Sequence, residues 1–158
     1  METSAIEVYR VSALNDLIRI NNDRITGYKK RMSASLDDDL DELFYLFVYQ
    51  SQQNIDELTQ LIYRFGGQPV DGRSLSGQFY HAWMDVTATL VRQDRQTMLD
   101  YCEYGEDVAK SVYQKVLDDK EIMGSDIKVL HLLKMHLADL KRSHKLVKEL
   151  RDHSANAA

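Results

Sequence analysis

The sequence predicts an all-α protein, a bundle of four long helices with an extra helix between the second and the third. Apolar residues recur at spacings of three and four along most of the chain, the pattern of amphipathic helices rather than strands. One proline and seven glycines in 158 residues leave few interruptions,. Gly66-Gly67 followed by Pro69 is a strong stop signal that closes the first helical pair,. At this length the chain suits a single domain with one good core.

Five helices are expected, over about 5–34, 37–65, 74–91, 95–118 and 125–152,. The first opens on Ser4, where Ser4-x-x-Glu7 fits a capping box,. Its apolar stripe runs Leu14, Leu17, Ile18, Ile25, Tyr28 and Met32. Ser35 with Asp38 reads as the cap of the second helix, and Asp37 to Asp39 place negative charge on its positive end,. Leu40, Phe44, Phe47, Leu58 and Ile62 mark its buried face. The third carries Leu75, Phe79, Trp83, Val86 and Leu90. Asp94 reads as the cap of the fourth, whose stripe is Met98, Cys102, Ala109, Tyr113 and Val116,. In the last helix the stripe reads Leu130, Leu133, Leu137, Leu140, His144 and Val147.

Connection lengths predict the topology. Short turns join the first helix to the second and the fourth to the fifth, so each pair is expected as an antiparallel hairpin. The segment between the hairpins is about 27 Å long as a helix, enough to carry the chain from one end of the bundle to the other.

Composition narrows the function classes. Apolar residues make up 44% and charged residues 28%, ordinary for a soluble globular protein,. The net charge of −5 disfavours nucleic acid as a partner, because no broad basic field is available to replace counterions,. The basic residues clustered in the last helix (Lys141, Arg142, Lys145, Lys148, Arg151) read as a solvated face. Cys102 is the single cysteine, which excludes an intramolecular disulfide,. METSAIEVYRV lacks the basic start and apolar run of a signal peptide, and no stretch has the length needed to span a bilayer. A cytoplasmic location and no membrane partner are expected.

The segments NDLIRINNDRITGY, GGQPVDGRSLSGQFYHAWMDV and LDYCEYGEDVAKSVYQKVL resemble a bacterial ferritin-like four-helix-bundle family of unknown function. The Gly-Gly-x-Pro turn, the Trp-Met-Asp segment and the Gly-Glu-Asp segment carry the resemblance, which covers most of the chain. It implies a ferritin-like bundle, two antiparallel hairpins joined by a long crossover containing the fifth helix. It supplies no established activity. Ferritin-like proteins that bind a metal pair use Glu-x-x-His motifs on two helices. Neither Glu-x-x-His nor Asp-x-x-His occurs in this sequence.

What stands at the middle of the bundle is the remaining question. Asn21 and Ser51 lie equally far from the first turn, and Glu106 and His136 equally far from the last. Helical angle puts Asn21, Ser51, Asn54 and Glu106 on the core faces, as a polar mid-bundle layer. Ser51-x-x-Asn54 occupies the place of a Glu-x-x-His. His136 falls at the edge of its stripe, whereas His144 falls on it and reads as a satisfied core residue. Two dications need several carboxylates, and amide and hydroxyl oxygens are weak ligands for a transition metal. The preferred reading is a hydrogen-bonded, metal-free layer, with no cofactor and no catalytic residues. Glu106 is expected to pair with His136, or to be bonded to Asn54 or a tyrosine hydroxyl. The alternative is a divergent metal-binding oxidoreductase holding iron, manganese or zinc on Glu106 and His136. A second alternative is a small-ligand pocket lined by Tyr28, Tyr113 and the midpoint amides.

Three further readings complete the expectations. Cys102 is expected buried and unreactive. Asp23 is expected to accept a hydrogen bond from Arg73, His81 or Trp83. Tyr45, Tyr49 and Tyr63 give the second helix an aromatic outward row that either the crossover helix or a second molecule must cover, and a homodimer through these residues is the expectation.

Overall fold

The computed structural model describes residues 4–34, 37–77, 95–124 and 126–156 of the chain. It is a ferritin-like four-helix bundle. The long helices are α1 (Ala5–Ala34), α2 (Asp38–Arg64), α3 (Arg95–Asp118) and α5 (Ile127–Asn156), with a one-turn helix α4 (Lys120–Met123) between the last two. Among the described residues none of these is long and apolar enough to cross a membrane.

The helix ends follow local chemistry. Ser4 Oγ accepts the Glu7 N–H at 3.1 Å and opens α1,. Asp37 precedes α2 but its side chain does not cap it. The acidic start of α2 is instead met by Arg95, whose guanidinium reaches Asp39 at 2.7 Å and Asp37 at 3.3 Å and also donates to Ser154 Oγ at 3.1 Å. That one residue ties the first turn of α3 to the start of α2 and the end of α5. Ser35 and Asp94 lie outside the described residues. Asp119 caps α4, and Asp126 caps α5 by accepting the Lys128 and Val129 N–H groups, each at 3.1 Å. At the end of α2, Gly66 adopts φ 72°, a left-handed turn that favours glycine,. A Cβ on Gly67 would meet the Val11 methyls at 2.6 and 2.7 Å, so this turn lies directly against α1.

Cross-helix contacts fix the directions. Asn21 meets Asn54 and Arg24 meets Ser51, so α1 and α2 run antiparallel. Tyr113 meets His136 and Arg95 meets Ser154, so α3 and α5 do too. Asn21 touches Tyr113 while Tyr28 touches Glu106, which makes α1 antiparallel to α3. It follows that α2 is parallel to α3, and the chain must return along the bundle between them. The return begins in the described residues. Asn15 bonds to the Gln68 carbonyl and the Val70 N–H, Asn22 to the Ser74 carbonyl, and Asp23 to the Ser76 and Gly77 N–H groups. The segment therefore climbs α1 in parallel, its backbone satisfied by buried amide and carboxylate side chains rather than by a helix.

Several expectations need correction. The crossover helix does not start at Ser74, since residues 74–77 are not helical; residues 78–91 lie outside the described residues. Asp23 is fully buried and accepts from Ser76 through both N–H and hydroxyl, a donor outside those expected. His81 and Trp83 lie outside the described residues. The buried residues of α5 are Val129, Leu133, His136, Leu137, Leu140, Ser143 and Val147, which keeps Leu133, Leu137, Leu140 and Val147 of the expected stripe but turns His136 in and His144 toward the edge. His144 is only half-buried, against Glu103 and Asp107 of α3 at 3.6 and 3.1 Å. Glu103 of α3 is largely covered and also receives Arg151.

Candidate functional site

The centre of the bundle holds two polar clusters about one helical turn apart. The first is built on Glu106 of α3, whose side chain is fully buried. Its Oε1 accepts from Arg24 Nη2 at 2.7 Å and from the Tyr28 hydroxyl at 2.5 Å. Arg24, also fully buried, donates through Nη1 to Ser51 Oγ at 2.7 Å and to Gln50 Oε1 at 3.1 Å. The rings of Tyr28 and Phe47 lie 5.8 and 5.7 Å from its guanidinium carbon,. Burial works against the Arg24 charge, but the Glu106 carboxylate and the neighbouring tyrosines more than offset it and raise its pKa,. Burial, and then Glu106, push the Tyr28 hydroxyl well above its ordinary value, so it stays a donor.

The second cluster is neutral. Asn21 donates to the Leu17 carbonyl at 2.8 Å and to the Tyr113 hydroxyl at 2.9 Å, and accepts from Asn54 at 3.2 Å. Tyr113 and His136 Nδ1 are 2.9 Å apart. Because Tyr113 already accepts from Asn21, its own proton points to Nδ1, which leaves the His136 proton on Nε2. Nε2 faces Glu57 Oε1 at 3.4 Å without the geometry of a hydrogen bond. Burial lowers the His136 pKa to about 4, so the imidazole is neutral at pH 7 and this contact is not an ion pair,.

Asn21, Ser51, Asn54 and Glu106 thus all stand in the core, Asn21 with Asn54 in one cluster and Ser51 with Glu106 in the other. Glu106 and His136 have different partners: Glu106 is held by a tyrosine hydroxyl, that of Tyr28, as one of the expected pairings has it, and by Arg24 rather than by His136 or Asn54. Arg24 is the residue that sequence reasoning missed. Leu14, Leu17, Asn21, Arg24, Tyr28 and Arg31 repeat at alternating spacings of three and four, and that periodicity places the arginine on the core line,. Arg31 is buried as well, 5.7 Å from the Tyr101 ring.

A ferritin-like frame implies a metal pair, and these residues do not fit one. Among the described residues no three His, Cys, Asp or Glu side chains converge on a point. The Glu106 carboxylate is already neutralised by a guanidinium 2.7 Å away, so an incoming dication would meet Arg24 first,. At this level Arg24 lies between Tyr28, Ser51 and Glu106. A groove of about 520 Å³ lies between α1 and α3, beside Tyr9, Asp16, Arg19 and Lys115. Cys102 is buried, and burial and then Glu106 raise its pKa well above the ordinary value, which keeps it a thiol,. Tyr45, Tyr49 and Tyr63 are all more than half exposed.

Fold and centre together define a ferritin-like bundle in which a guanidinium–carboxylate pair stands in the middle. The chain belongs to a family described as a domain of unknown function, DUF2383, whose model matches residues 10–119. No curated protein matches it in sequence. Solved structures share its fold. The Desulfovibrio desulfuricans bacterioferritin, described with a diiron site, superposes with a TM-score of 0.80 at 16% identity, over 99% of this chain and 85% of that one. A point mutant of Mycobacterium smegmatis Dps1 gives 0.76 at 15% identity, over 95% and 99%. A ferritin-like diiron-carboxylate protein from Bacillus anthracis gives 0.70 at 17% identity, over 94% and 99%. At these identities the likeness is one of fold.

Proposed function

We propose that this chain is a non-enzymatic ferritin-like bundle, a cytoplasmic structural or interaction protein with a polar, metal-free centre. The observation that carries the reading is the Arg24–Glu106 contact at 2.7 Å, with both side chains fully buried. A fixed cation already balances the central carboxylate, and the neutral His136–Tyr113–Asn21–Asn54 chain needs no ion to satisfy it. Such a layer sets helix register, because the Arg24–Glu106, Arg24–Ser51, Asn21–Tyr113 and Tyr113–His136 contacts all form in one alignment only,. The outward row of Tyr45, Tyr49 and Tyr63 supports self-association as a homodimer,.

Elemental analysis of protein purified without chelator or affinity metal tests the reading. The expected result is iron, manganese and zinc far below one ion per chain. Near-stoichiometric content of any of them overturns it in favour of a metal-binding oxidoreductase.

A further inference from the structure

The α3–α5 hairpin carries a groove of about 370 Å³, apart from the polar centre and from the groove between α1 and α3. Leu117 of α3 and Leu130, Leu137 and Ala138 of α5 form its apolar lining, and Lys134 and Lys141 stand on its α5 edge. Lys148 continues that edge at the same seven-residue spacing, and Lys145 stands one turn beyond Lys141,. All four lysines are exposed, and none forms an ion pair among the described residues. The α3 edge offers this row one carboxylate, that of Asp118, which accepts from Gln114 at 2.8 Å. Farther along α3, Asp107 and Glu103 are already engaged by Lys110, His144 and Arg151. Asp139, Arg142 and Glu149 belong to the other flank of α5, toward α2,.

Lys141 with Lys145 and Lys145 with Lys148 are like-charge neighbours at helical spacings of four and three, an arrangement that weakens α5 slightly,. The chain as a whole is acidic, with 25 acidic against 20 basic residues, so this surplus of positive charge is local and an external anion relieves it,. We propose that the α3–α5 groove docks an acidic amphipathic helix of a partner protein, its apolar face on Leu117, Leu130 and Leu137 and its carboxylates on the lysine row. The proposal rests on the interaction-protein reading above and specifies the surface. Leu130 and Leu137 are seven residues apart, which matches the two-turn repeat of an apolar helical face laid along the groove,. From Lys134 to Lys148 the row spans about 21 Å, the length of about four turns of such a helix. The recessed leucines separate a helix from other anions. A bilayer surface reaches the lysines without reaching the floor, and a nucleic acid backbone has no apolar face to lay on it.

Fluorescence anisotropy of labelled synthetic helices with the full chain tests this, after circular dichroism has shown unchanged helicity in each variant. The probe is about 18 residues long, with leucines along one face and glutamates flanking them. Saturable binding is expected, weakened by raised salt and weakened about tenfold by Lys134→Gln with Lys141→Gln, while Lys128→Gln on another face of α5 leaves it unchanged. A probe with lysines in place of the glutamates and one with serines in place of the leucines should both fail to bind. Equal binding of the serine probe reduces the groove to a charge effect and overturns the proposal. Failure of the glutamate probe overturns it too. Phosphatidylserine vesicles, and self-association read by sedimentation equilibrium, then show by their dependence on the same two lysines whether a membrane or a second copy takes the helix's place. The reading on which the proposal rests is tested separately, by metal content, so the two can fail apart.

Discussion

His136 is buried to 2% exposure with its ring neutral, while the unfolded chain carries it at an ordinary imidazole pKa. Its pKa falls from 6.5 to about 4 on folding. The unfolded state therefore binds the extra proton between these values, so this residue's stabilising effect is complete above pH 6.5 and declines as pH falls toward 4,. The loss between about pH 7.5 and pH 5 is expected to be about 2 kcal/mol, read as a shift in urea midpoint. His136→Gln should remove that part of the pH slope. An identical slope in variant and wild type would mean that His136 is not held neutral by burial. His144, whose pKa is lowered by burial and then by Lys110, contributes in the same direction but cancels in the comparison. At this scale the sequence was readable wherever side-chain type and position agreed. Asn21, Ser51, Asn54 and Glu106 stand on apolar stripes, and all are buried. Arg24 escaped because a charged side chain is ordinarily sent to the surface, although its spacing from Asn21 and Tyr28 put it inside.

Among the elements, the helices themselves were legible because their apolar period is long and uninterrupted. Their rotation and caps were less so. The last helix has leucines on two adjoining lines, and the line through Leu130 and His144 looked as apolar as the true one through Val129, His136 and Ser143. Only the partners on α2 and α3 decide between them. The climbing segment after α2 was read as helix because its apolar residues permit one; its first residues are instead captured by Asn15, Asn22 and Asp23. Two predictions belong here. Asp126→Ala removes the cap of α5 and should cost about 1 kcal/mol in thermal or urea unfolding, with Asp126→Asn close to wild type. Equal losses from both would show that the cap does not depend on the side-chain oxygen. Gly67→Ala drives a methyl into Val11 and should cost about 1–3 kcal/mol, of which Val11→Ala on the same chain recovers part,. A neutral Gly67→Ala would place the turn farther from α1 than described.

For the whole molecule, the polar layer is what joins the two hairpins at their middle. Arg24, Tyr28 and Asn21 all belong to α1, and Glu106 and Tyr113, which they bind, belong to α3. Further links between the hairpins include Gln50 to Ser143 near the middle and, toward the ends, Tyr9 to Asp119, Arg10 to the Ile122 carbonyl, and Arg95 to Asp37 and Asp39. In this chain the middle is braced by a charge pair, Arg24 on one hairpin and Glu106 on the other. Removing one charge leaves the other buried and unpaired, whereas removing both restores neutrality. A stability cycle on Arg24→Met, Glu106→Gln and the double variant, followed by urea unfolding of metal-free protein, reads this directly. Each single substitution is expected to cost about 3–5 kcal/mol, and the double no more than either single. Costs that simply add, or singles that are nearly neutral, would contradict a central guanidinium–carboxylate brace.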